Sequence, residues 1–82
     1  MIQASWELGT PEYDRAFDEA SSNAWGVWYK DKNFLDENGK MNAIEWEKKF
    51  HCKPIINIEH DTWTGLMFEN EAGYVLFLLE WS

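Results

Sequence analysis

At 82 residues the chain is too short for two ordinary domains, and a core of this size depends on every large apolar side chain it has. Six Trp, five Phe and three Tyr can build such a core, and the lone cysteine, Cys52, rules out an internal disulfide and fits a reducing compartment. The net charge of -8, with no Lys or Arg beyond Lys53, argues against direct binding to nucleic acid or to an anionic membrane and favours a basic partner.

The first predicted element is a helix opening at Thr10-Pro11-Glu12, with Thr10 as N-cap, Pro11 at the first helical position and Glu12 at the positive helix end. Tyr13, Ala16, Phe17 and Ala20 form one apolar stripe, and Ser21-Ser22-Asn23 is expected to end it. Residues Ala24 to Tyr29 read as a strand, rich in Trp, Val and Tyr. A polar connection with an Asn38-Gly39 turn follows. Asn42 and Glu45 resemble a capping box, which predicts a second helix from Ala43 to His51, with Ile44 and Phe50 inside and Trp46 near one edge. Ile55–Ile58 and Trp63–Phe68 read as a hairpin turning at His60-Asp61-Thr62. The run from Tyr74 to Leu79 is apolar throughout, and a strand stays open there. Asn70 as N-cap and the spacing of Tyr74, Phe77, Leu78 and Trp81 favour a helix.

That last stretch, Phe68 to Ser82, resembles the closing segment of small uncharacterised acidic accessory proteins of tailed phages, which often end in a similar Phe–acidic–Tyr–Phe–Leu–Trp pattern. The resemblance covers about a fifth of the chain and brings no catalytic residues with it. It implies a class of short proteins, some of which bind and disable host enzymes.

Candidate chemistry is sparse. Asp36, Asn38, Gly39 and Glu45 match parts of a calcium loop, but Phe34 stands where the first carboxylate ligand belongs. His51 beside Cys52 could be a nucleophile pair, yet neighbours at a helix end point apart and no third residue orients them. His51, Cys52, His60 and Asp61 match no zinc spacing. Exposed Trp could stack on sugars or bases, but stacking platforms for single strands come with basic grooves.

These readings predict an α+β fold over residues 1–82: a small antiparallel sheet of about three strands, from Ala24–Tyr29, Ile55–Ile58 and Trp63–Phe68, packed against two or three helices. Phe17, Ile44, Ile56, Ile58, Leu66, Phe68, Val75 and Leu79 are the expected core. The expected function is non-enzymatic: an acidic module that binds and inhibits a host factor, with partial nucleic-acid mimicry as one version. No cofactor and no metal are expected. Asp14, Asp18 and Glu19 form the candidate acidic face, and Trp6, Trp28 and Trp46 are the Trp expected at the surface as anchors. The alternative is an assembly protein that forms a homo-oligomer through its apolar C-terminal segment. No apolar run approaches the roughly 20 residues of a membrane span, and the opening residues lack a basic signal-peptide region, so a cytoplasmic protein is expected.

Overall fold

The computed structural model describes residues 1–82 as three antiparallel strands and three helices, an α+β arrangement. In chain order these are β1 (Ile2–Ser5), α1 (Arg15–Trp28), α2 (Ala43–Phe50), β2 (Lys53–Asn57), β3 (Thr62–Phe68) and α3 (Glu71–Trp81). The sheet order is β1-β3-β2, so β3 is the central strand. α1 packs along α3, α3 lies on β3, and α2 lies against β2.

The third strand is not the predicted one. Ala24 to Trp28 are the last turns of α1, and Ile2–Ser5 supplies the missing strand by pairing with Phe68 to Gly65. The stripe that begins at Phe17 continues through Ala20, Ser21, Ala24 and Trp28, all buried, so the helical period runs unbroken across the expected strand. Burial of Trp28 outweighs the strand preference of Trp and Val. Ser21 and Ser22 do not stop the helix, because both hydroxyls donate back to the Asp18 carbonyl, at 3.1 and 2.8 Å.

The helix also starts later than Thr10. Asp14 is the N-cap, its carboxylate accepting from the Ala16 N–H at 2.9 Å. The Thr10 hydroxyl instead donates to the Glu7 carbonyl. The backbone from Glu12 to Tyr13 lies beside β1, where the Ser5 N–H donates to the Glu12 carbonyl at 3.0 Å. α2 keeps its predicted Asn42 cap, and α3 is the helix favoured from sequence, with the Asn70 side chain accepting from the Gly73 N–H at 2.9 Å.

A register shift between Ile55 and Ile56 makes β3 one residue longer than its partner at Thr64. Trp63 has the opposite parity to Leu66 and Phe68, yet all three pack into the core. The shift is what allows it. Two aromatic clusters result. Trp28 stands 4.9 Å from Trp46 and stacks on Trp63 at 5.3 Å, with Trp25 and Phe34 edge-on around them. Phe17, Phe68 and Phe77 form the second, where α1, β3 and α3 meet.

Of the expected core, Phe17, Leu66 and Phe68 are buried, whereas Ile44, Ile56, Ile58, Val75 and Leu79 are exposed. Phe50 is inside as predicted, but Trp46, one turn before it, takes the inner face of α2 in place of Ile44, which points away. Ile56 lies on the edge strand, and Ile58 lies beyond its end. Val75 and Leu79 lie on the outer face of α3. No helix is long and apolar enough to cross a membrane.

Candidate functional site

Helix α1 places Asp18, Ser21, Ser22 and Trp25 at i, i+3, i+4 and i+7, along one face. Trp6 closes that face from the end of β1, Met41 from the connection before α2, and Thr62 and Trp63 from the start of β3. Together they line an open groove of about 480 Å³.

Each element fixes its aromatic ring. Trp6 stacks on Phe17 with centroids 5.6 Å apart and an interplanar angle of 18°. Its indole N–H donates to the Ser21 hydroxyl at 2.6 Å. Trp63 stacks on the buried Trp28, and Trp25 meets Trp63 edge-on at 5.7 Å and 90°. Trp6 and Trp63 therefore each have one ring face covered by a core ring. The Trp6 indole N–H is taken up by Ser21 and both serine hydroxyls donate to the Asp18 carbonyl, which leaves π-surface and acceptors toward the groove.

Asp18 is the only charged residue lining the groove. It is half-buried and accepts from the Tyr13 hydroxyl at 3.3 Å, and none of the four ion pairs includes it. Desolvation and then the Asp18 carboxylate hold the Tyr13 phenol above its ordinary value, so it remains a donor. A shallower depression lined by Asp18, Glu19, Ser22 and Asn23 extends the acceptor-rich surface along α1.

The structure brings two of the sequence-derived site residues, Trp6 and Asp18, into one groove. Asp14 is occupied elsewhere, capping α1 and accepting from the Tyr74 hydroxyl of α3 at 3.2 Å. Glu19 pairs with Arg15 at 3.3 Å on the surface. Trp28 and Trp46, expected at the surface, are fully buried, because they join α1 and α2 across the aromatic cluster. Trp25, Met41 and Trp63 were not foreseen as groove residues. The signal for Trp25 is its seven-residue spacing from Asp18, which a helix ending at Ser21-Ser22-Asn23 does not show.

The remaining candidates have structural explanations. The Asp36 carboxylate accepts from the Asn38 and Lys40 backbone N–H groups, closing a tight turn. Burial pushes the Cys52 thiol up to about 12, so it stays protonated near neutrality and is a poor nucleophile. The buried Trp46 indole N–H beside it finds no well-formed hydrogen bond, and its weak pull on the sulfur offsets only part of the effect of burial on the thiol. No three His, Cys, Asp or Glu side chains stand together in an arrangement that could hold a metal ion. A second cleft of about 480 Å³, at Cys52 and Phe68, is lined by Glu47, His51, Lys53 and Glu69, a mixture of signs that selects no ligand charge.

No family model, no curated protein and no solved structure matches this chain.

Proposed function

We propose that this chain is a protein-binding module that seizes a basic side chain of its partner in the Trp6–Trp25–Trp63 groove. The observation that carries the reading is the Asp18 carboxylate, bonded to the Tyr13 hydroxyl but in no ion pair, among three indoles in a groove that no Lys or Arg lines. A cation over an indole face is attracted by the ring quadrupole, by about 0.5–2 kcal/mol depending on desolvation. A carboxylate at the rim adds a charge-assisted hydrogen bond. Arginine suits the site best, since its planar guanidinium stacks on indole and bonds the carboxylate at once. The resemblance of residues 68–82 to phage accessory proteins supports taking the partner as a host protein that the module inhibits.

The test is a tryptophan-fluorescence titration with a short arginine-containing peptide and its citrulline twin, which keeps the shape and loses the charge. The arginine peptide should bind and the citrulline peptide should not, and Asp18→Asn should abolish the difference. Equal binding of the twins, or an unchanged response in the Asp18→Asn variant, would refute the reading.

A further inference from the structure

α3 is apolar on two sides. Phe77, Tyr74, Trp81 and Leu78 turn inward, with Phe77 buried. The opposite side is just as apolar and lies in solvent: Val75 is 44%, Leu76 64% and Leu79 71% exposed. At about 100° per residue, the exposed half of the helix reads in angular order Glu71, Val75, Leu79, Ala72, Leu76, Glu80. It is an apolar strip with a carboxylate along each margin. Monomeric proteins seldom leave such a strip open without a use for it. The eleven residues of α3 give it a length of about 16 Å, enough to seat roughly three turns of another helix.

The margins decide what covers it. Glu69, Glu71 and Glu80 are the only charged residues after Asp61, and no base follows Lys53. A second copy would set Glu margins against Glu margins in either orientation, and an anionic lipid surface meets the same repulsion. We propose that the outer face of α3 docks an amphipathic helix of a partner protein whose apolar stripe is flanked by Lys or Arg. Apolar side chains at heptad spacing fill the strip, and the flanking bases pair with Glu71 and Glu80, as flanking charges do in coiled coils. This surface is separate from the Trp groove and stands without it.

The probes are a dye-labelled peptide of about three heptads, with Leu at the inner positions and Lys at the flanking ones, a twin with Glu flanks, and a scramble of the Lys peptide that keeps its composition. Binding is read by fluorescence anisotropy, with circular dichroism confirming that each variant is folded. The Lys-flanked peptide should bind at least about tenfold more tightly than the scramble and the Glu-flanked twin. The pair Leu76→Gln and Leu79→Gln should remove that advantage. The pair Glu71→Lys and Glu80→Lys should transfer the preference to the Glu-flanked twin. The pair Glu37→Lys and Glu59→Lys changes net charge equally far from α3 and should transfer nothing. Asp18→Asn should leave the preference intact, which keeps this result apart from that of the groove. Equal binding of scramble and Lys peptide, or the same effect from both charge-reversal pairs, would overturn the proposal. Self-association in sedimentation that the Leu pair abolishes, without peptide binding, would assign the strip to a second copy instead.

Discussion

Gly65 has no room for a side chain: a Cβ there would stand 2.1 Å from the Ala4 carbonyl oxygen, a backbone atom of the neighbouring strand. Gly65→Ala must therefore push β1 off β3, and the loss in urea unfolding should be on the order of 3 kcal/mol or more, the range of severe core disruptions. Gly26 sits in α1 with open space around it, so Gly26→Ala should stabilise by about 0.5–1 kcal/mol through helix propensity alone. A pair of equal effects would contradict this reading of the two sites. Cys52 adds a dependence on pH. Its ordinary value of 9.0 is raised to about 12 by burial, so above about pH 9 the unfolded chain releases a proton that the native chain keeps. Stability is then full below pH 9 and falls as pH rises toward 12. Tyr74 acts in the same direction from 10.0 to about 12, through desolvation and then the Asp14 carboxylate. Urea midpoints should decline above about pH 9 in the wild type, and with Cys52→Ala the decline should begin nearer pH 10, where the raised phenols of Tyr74 and Tyr13 remain.

At the scale of elements, the caps set the ends. His51 closes α2 in the left-handed region, at φ 59°, where a Cβ is strained and glycine is not. His51→Gly should raise stability by about 1 kcal/mol, and Asn70→Ala should lower it by about 1 kcal/mol by freeing the Gly73 N–H; denaturant melts check both. The start of α3 was legible in the sequence because an N-cap is a local contract between neighbouring residues, whereas the end of α2 was legible only to within a residue, His51 being the cap and not the last helical residue. The hairpin was legible from its two β-branched and aromatic runs, but its turn falls earlier than His60–Thr62: residues 58–61 turn around Asn57, which accepts from the Glu59 and His60 N–H groups, and Thr62 already belongs to β3. β1 was not legible, since Ile2–Ser5 is a strand only by virtue of β3, sixty or more residues away in register. Nor were the exposed faces of α3 and α2: Val75, Leu79 and Ile44 look like core in sequence, and only packing shows which side of a two-sided apolar helix finds a neighbour. The groove was half legible. Asp18 and Trp6 could be singled out by type, but Trp63 reaches them only through the register shift in the sheet.

At the scale of the whole molecule, charge opposes itself. Fifteen acids face seven bases, and the four ion pairs lie at the surface, where each contributes little. The folded chain concentrates a charge of -8 within a Cα radius of gyration of 12.3 Å, comparable to the roughly 10 Å Debye length at 0.1 M salt. Self-repulsion is thus largely unscreened at low salt and relieved as salt rises. The same field draws a basic ligand toward the groove, and there screening removes attraction. One salt series should therefore move two quantities in opposite directions. Between about 0.02 and 0.5 M NaCl, the thermal midpoint should rise while the association rate of the arginine peptide falls. Asp18→Asn should weaken peptide binding at every salt concentration yet leave the upward trend of the midpoint in place, because it removes one of fifteen acids from the global field and the only charge from the groove. A midpoint that falls with salt would mean that the surface ion pairs outweigh the net charge. A peptide on-rate indifferent to salt would mean that the groove recognises its ligand by shape and apolar contact, without the help of the acidic surface.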